Sequence, residues 1–209
     1  VRPAQHYTMG GVRTKPTGES PTLKGLFAAG EAACWDMHGF NRLGGNSVAE
    51  TVVAGMIVGE FIADFCDKAE NGIDIPTSLI YGALAKEEAR LKSFMNNGGS
   101  ENAYEIRTRM QEIMTTKIGI FRKGADMEFA VAELEELYKR SFKVSVKDVV
   151  GPNPELIYAY RTQKMLRVAL SVAYGALNRK ESRGAHYRED FPVRNDIEWL
   201  NRTIATWKE

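Results

Sequence analysis

The sequence predicts a mainly α protein, a helical bundle preceded by a shorter α/β segment, and three observations lead there. Short extended runs separated by turns are confined to the first fifty residues; apolar residues then recur at intervals of three and four almost to the end; and the breaks between those runs are few and sharp, at Asn71-Gly72 with Pro76, at Asn96-Asn97-Gly98-Gly99, around Gly119 and at Pro152-Asn153-Pro154. Amphipathic helices joined by short breaks must cover one another's apolar stripes, which is the bundle architecture. We place the boundary between the two parts after residue 70, giving segments 1–70 and 71–209. A chain of 209 residues with 44% hydrophobic content can bury a real core.

In order along the chain, Met9–Arg13 reads as extended, Lys15-Pro16-Thr17-Gly18 as a turn, and Leu23–Ala29 as a strand ending at Gly30-Glu31. A helix is expected from Ser47 to about Lys68, with Ser47 and Glu50 in the spacing of a capping box. Helices follow over Thr77–Phe94, with Leu79, Ile80, Leu84 and Leu91 as apolar positions, and over Glu101–Met114. After Gly124, Asp126 is placed to cap a helix whose stripe runs through Phe129 or Ala130, Val131, Leu134, Leu137 and Tyr138. Pro154 suits the first turn of a long helix from Glu155 to about Arg179, with Leu166, Leu170, Ala173 and Leu177 on one face. A last helix is expected from Asn195 to Trp207. Tyr104, Met110, Met114, Tyr158 and Met165 read as core packing, and Lys86-Glu87-Glu88, Glu133 and Glu135-Glu136 as solvated faces.

A formal net charge of +1, with no basic stripe, argues against a partner chosen by bulk charge, nucleic acid included. Cys34 and Cys66 form neither a disulfide framework nor a metal-ligand spacing and read as two buried reduced thiols; no metal site is expected. The most apolar stretch, Thr51 to Gly59, lies between Glu50 and Glu60 and is far shorter than the ~20 residues that cross a bilayer. The chemistry concentrates in His38-Gly-Phe-Asn-Arg-Leu-Gly-Gly-Asn-Ser-Val-Ala-Glu50. Gly44 and Gly45 let a ligand approach the backbone, the helix beginning there presents free N–H groups and a positive dipole end, and Arg42 adds a full charge. Such a site suits an anion.

Three motifs in order, His6-Tyr7-Thr8-Met9-Gly10-Gly11, Gly25-Leu26-Phe27-Ala28-Ala29-Gly30-Glu31 and the 38–50 stretch, then Glu181-Ser182-Arg183-Gly184-Ala185-His186-Tyr187-Arg188-Glu189-Asp190-Phe191-Pro192 with Arg194-Asn195-Asp196 and Trp199, span nearly the whole chain. Together they resemble the succinate dehydrogenase/fumarate reductase flavoprotein subunit, its C-terminal part. Phe40 departs from the small residue usual in that family. The resemblance implies that residues 1–70 are the closing α/β portion of an FAD-binding, Rossmann-like domain and 71–209 its helical bundle. The chain opens at Val1 in mid-pattern and lacks the Gly-x-Gly-x-x-Gly fingerprint, so a fragment is expected.

By the same resemblance His6 and Arg42 bind the substrate, Glu31 hydrogen-bonds the ribityl or ribose portion of FAD, and the backbone of Ser47 and Val48 meets the flavin ring, with His38 and Gly39 shaping the site. The flavin-attaching histidine and the proton-delivering arginine are expected in earlier sequence, so no catalytic residue is assigned here. FAD is expected in the full-length protein and not in a piece holding half its cradle, which is expected to be colourless and inactive. The reaction implied is hydride transfer between flavin and succinate or fumarate. Implied partners are an iron-sulfur subunit and a quinone-reactive membrane anchor, with the chain peripheral on the cytoplasmic side of the inner membrane. An L-aspartate oxidase-type fragment and a non-catalytic helical interaction module are the alternatives. Arg183, His186, Arg188, Glu189 and Asp190 pair either across a boundary or in an internal salt network.

Overall fold

The computed structural model describes residues 6–69, 75–147 and 149–206. The chain divides into two compact units, Val1–Ile75 and Pro76–Glu209. The break foreseen at Asn71-Gly72 lies outside the described residues.

In the first unit two short strands, β1 (Val12–Arg13) and β2 (Ala33–Cys34), pair in parallel, Val12 opposite Ala33 and Arg13 opposite Cys34. The strand expected over 23–29 does not form. The Ser20 hydroxyl accepts from the amides of Thr22 and Leu23, and Gly25 turns the chain at φ 79°, so only one antiparallel bridge, Glu19 to Phe27, remains. Gly30–Ala32 is a single 3-10 turn leading into β2. Helix α1 (Asn46–Lys68) ends where the sequence placed its stop. Its buried residues Ser47, Glu50, Ala54 and Val58 are spaced by three, four and four and lie on one narrow stripe. The loop at Gly18 closes on that stripe: a Cβ at Gly18 would stand 2.3 Å from a Val58 methyl, and φ there is 79°. Only glycine satisfies both conditions. Cys34 is half-buried and Cys66 exposed, so the thiols are free as expected but not buried.

The second unit is helical. Helices α3 (Ala103–Lys117), α4 (Gly124–Ser141) and α5 (Pro154–Asn178) pack on one another, and α2 (Thr77–Lys92) buries none of its residues. The core joins Ile106, Met110 and Ile113 of α3 to Met127, Ala130, Leu134 and Leu137 of α4 and to Leu166, Leu170 and Ala173 of α5. Phe94, Val144 and Val146 close it from the connections. Ala130 carries the α4 stripe, and Phe129 is exposed. Met110 is core and Met114 packs against it, whereas Tyr104, Tyr158 and Met165 stay on the surface, the two tyrosine rings tilted at 42° with their centres 4.6 Å apart. Asp126 does not cap α4; it lies in the first turn and pairs with Lys117 at 2.6 Å, and the Gly124 amide donates instead to Asp190 Oδ2 at 3.0 Å.

Two more strands, β3 (Phe121–Arg122) and β4 (Tyr187–Arg188), pair in parallel, and the final helix α6 (Asp196–Trp199) is far shorter than the 195–207 span expected. The cause is Arg179. Its guanidinium takes the carbonyls of Trp199 and Asn201 at 2.5 and 3.1 Å and the Thr203 hydroxyl at 3.0 Å, drawing off carbonyls that a continuing helix would use.

Candidate functional site

Helix α1 begins after Gly45, whose φ of 84° places the N-cap in the left-handed region, and no side chain caps the turn. A Cβ at either Gly44 or Gly45 would meet nothing within 4 Å, so the approach to the first-turn amides is open. The capping box expected of Ser47 and Glu50 is not made. Glu50, 4% exposed, uses its carboxylate elsewhere: Oε1 accepts from Trp35 Nε1 at 2.9 Å, and Oε2 accepts from His38 Nε2 at 2.7 Å and from the Tyr7 hydroxyl. Trp35, His38 and Tyr7, brought in by the 7–38 segment, occupy both carboxylate oxygens, and the helix begins at Asn46, so Ser47 lies inside its first turn and not at the N-cap. The start of α1 therefore keeps its positive end, with the N–H groups that a helix cannot satisfy internally.

Burial works to raise the Glu50 pKa, and the hydrogen bonds from Tyr7, His38 and Trp35 outweigh it, leaving the carboxyl below its ordinary range. The Tyr7 phenol moves the other way, to about 12, through burial first and then its bond to Glu50. Glu50 is thus an anion that only accepts, which assigns the proton of His38 to Nε2.

Arg42 lies with its guanidinium carbon 5.0 Å from the centre of the Tyr7 ring and donates from Nη1 to the Leu43 carbonyl at 2.7 Å. Its Nε is buried with no partner among the described residues. An orphaned guanidinium donor beside open helix amides fits an anionic guest, in the chemistry and in the sign of the field. Glu31 accepts from the Thr8 amide at 2.7 Å, and His6 is exposed at the start of the same 6–8 segment. That segment links the expected residues: Tyr7 underlies Arg42, and Thr8 holds Glu31. Ser47 is buried and Val48 is 71% exposed at the α1 mouth. The sequence reading missed Tyr7, Trp35 and the true role of Glu50. A glutamate in register with Ala54 and Val58 on the α1 stripe was the available signal.

In the second unit the charge-rich 179–196 stretch closes on itself. Glu181 accepts from Arg179 and Arg183, Arg183 also pairs with Asp196 at 2.6 Å, and Arg188 pairs with Asp190 at 2.7 Å. Arg188 further donates to the carbonyls of Ala176, Leu177 and Arg179 at the end of α5, and Glu189 pairs with Lys123 at 2.9 Å. The internal network that the sequence allowed is formed among these residues. Burial of Glu181 is overcome by Arg183, the Asn195 amide and Arg179, which bring its pKa to about 2.

Residues 107–209 match the family model described as fumarate reductase flavoprotein C-term, and residues 1–48 match the FAD binding domain. The fumarate reductase flavoprotein subunit of Helicobacter pylori is 55% identical over 208 residues, covering 99% of this chain and 29% of that protein. The chain belongs to the fumarate reductase/succinate dehydrogenase flavoprotein family. The succinate dehydrogenase flavoprotein subunit of Bacillus subtilis is 36% identical across 98% of this chain and 35% of its own length. The Escherichia coli quinol fumarate reductase structure superposes with a TM-score of 0.88 at 40% identity, over 96% of this chain and 34% of its flavoprotein chain. The chain thus spans about a third of the length of its relatives, and the family's flavoproteins are FAD-binding oxidoreductases. Among the described residues no helix is long and apolar enough to cross a membrane.

Proposed function

We propose that this chain contributes the dicarboxylate-binding and flavin-facing half of a fumarate reductase or succinate dehydrogenase active site. FAD, when bound, supplies two-electron hydride exchange with a C4 dicarboxylate. Arg42 grips one carboxylate: a planar, permanently charged fork is suited to hold two oxygens at once, and its unpartnered Nε is the observation that carries this reading. His6, at the head of the segment whose next residue supports Arg42, serves as the second carboxylate anchor. Two fixed anchors hold the reacting carbons in line and stabilise charge that grows on the carboxylates as the transition state forms. They position the substrate and carry no proton to it.

The amides of Ser47 and Val48, with the dipole of α1 behind them, stabilise negative charge gathering on the pyrimidine side of the ring, and Glu31 accepts hydroxyl hydrogens of the ribityl or ribose portion. The open Cβ positions at Gly44 and Gly45 support that close approach. The names of the relatives support the respiratory reading over an L-aspartate oxidase. An iron-sulfur subunit and a quinone-reactive membrane anchor then complete the electron path, with this chain peripheral on the cytoplasmic face, and the 209-residue piece alone is colourless and inactive.

The test is Arg42→Gln in the flavin-loaded holoenzyme, with succinate and fumarate binding followed by flavin absorbance. Loss of a charge-assisted grip of about 2–3 kcal/mol raises the dissociation constant roughly 30- to 150-fold with flavin content unchanged. An unchanged dissociation constant removes Arg42 from the site.

A further inference from the structure

We propose that Glu50 is the positioning residue for the Arg42 anchor: its buried carboxylate pins Tyr7, Trp35 and His38 together, and the Tyr7 ring so held is the platform on which the Arg42 guanidinium lies. The proposal rests on the reading of Arg42 as a carboxylate anchor and adds the device that sets where that anchor stands. A cation held over a ring face is only as well placed as the ring, and a half-buried tyrosine with a free hydroxyl can swing about two side-chain torsions. Here the hydroxyl is tied to Glu50 Oε2, and the ring edge meets His38 at 5.7 Å and 89°, itself tied to the same oxygen at 2.7 Å. Trp35 occupies the other oxygen at 2.9 Å, so the carboxylate itself cannot turn.

The placement of Glu50 gives this cluster its consequence. Glu50 stands on α1 one turn beyond Ser47, on the buried stripe that locks the helix to the rest of its unit. The guanidinium is therefore registered, through Tyr7, to the same rigid element whose first-turn amides face the flavin in the proposed site. The substrate anchor and the flavin-facing amides are thereby set at one fixed separation by one helix, which is what holding a substrate carbon against a flavin requires.

The experiment compares Tyr7→Phe, which cuts the tie and keeps the ring, with Glu50→Leu, which removes the hub, and with Glu50→Gln. The glutamine amide can still bond all three partners if the phenol accepts and the imidazole changes tautomer. In the holoenzyme, succinate dissociation constants are expected to rise about tenfold in Tyr7→Phe and at least as much in Glu50→Leu. Glu50→Gln is expected to stay within about threefold, kcat to change less than KM, and flavin content to hold in all three. A second readout needs no turnover: in the holoenzyme, NMR of the Arg42 side-chain N–H groups should show ring-current shifts in the wild type and in Glu50→Gln that collapse in Glu50→Leu. Unchanged affinity in both Tyr7→Phe and Glu50→Leu overturns the proposal, as does equal damage in Glu50→Gln and Glu50→Leu or a parallel loss of flavin. If Arg42→Gln itself leaves binding unaltered, the underlying reading of the site has failed instead.

Discussion

His186 shows how a single buried side chain writes a pH dependence into the second unit. Arg122 Nη1 contacts its Nδ1 at 2.8 Å and the Arg179 carbonyl lies 3.1 Å from its Nε2. A guanidinium only donates, so Nδ1 accepts and Nε2 carries the proton. A second proton would set an N–H against an N–H in a pocket that already holds arginines, and burial, ahead of that repulsion, lowers the imidazole to about 4. Between the ordinary value and about 4 the unfolded chain takes up a proton that the folded chain refuses. Stability therefore falls as pH drops through that window and levels off below it, by at most about 3 kcal/mol at ~1.36 kcal/mol per pH unit. Glu181 and Asp190, each near 2, act further down: their contribution is full above the ordinary carboxyl range and is lost as pH falls through their folded values. His186→Gln should flatten the loss of urea stability between pH 7 and 4.5 and leave the lower part alone. Parallel profiles for variant and wild type would show that His186 carries none of it. The sequence displayed His186, Arg188 and Asp190 as a charged cluster but not their partners, since Arg122 and the α5 carbonyls reach them through folding and not through spacing.

At the scale of elements, the helix starts divide by whether a side chain serves them. Asn102 accepts from the amides of Tyr104 and Glu105 at 2.8 and 3.3 Å, Asn153 from Leu156 at 3.3 Å with Pro154 behind it, and Asn195 from Ile197 and Glu198, both at 3.1 Å. The start of α1 has no such cap, because its N-cap residue is Gly45, which has no side chain. Asn102→Ala should cost about 1 kcal/mol in chemical denaturation followed by helix circular dichroism. Ser47→Ala should cost under ~0.5 kcal/mol. Equal costs would mean that Ser47 caps α1 after all. Helices α3, α4 and α5 were legible because their stripes recur at three and four and are covered within the same unit. The extent of α6 was not, because Arg179, some twenty residues earlier, takes the carbonyls that a longer helix needs. Nor was the 23–29 loop, where a serine hydroxyl and one positive-φ glycine outweigh strand propensity.

For the whole molecule, the motifs in the first fifty residues and the 181–199 stretch were enough to read the family, because they carry glycines and charges whose order is specific. Within the candidate site, Arg42, Ser47 and Val48 were legible as neighbours in sequence at a helix mouth. The Glu50 hub was not, since its donors arrive from 43, 15 and 12 residues away. On the proposed reading, Arg42 holds a substrate carboxylate while the start of α1 faces the flavin. A crystal structure of the flavin-loaded holoenzyme with a bound C4 dicarboxylate tests this most directly. It should place the Arg42 guanidinium at about 3 Å from a ligand carboxylate, with the Ser47 and Val48 amides facing the flavin ring. Arg42 and those amides turned to bulk solvent, away from both cofactor and ligand, would contradict it.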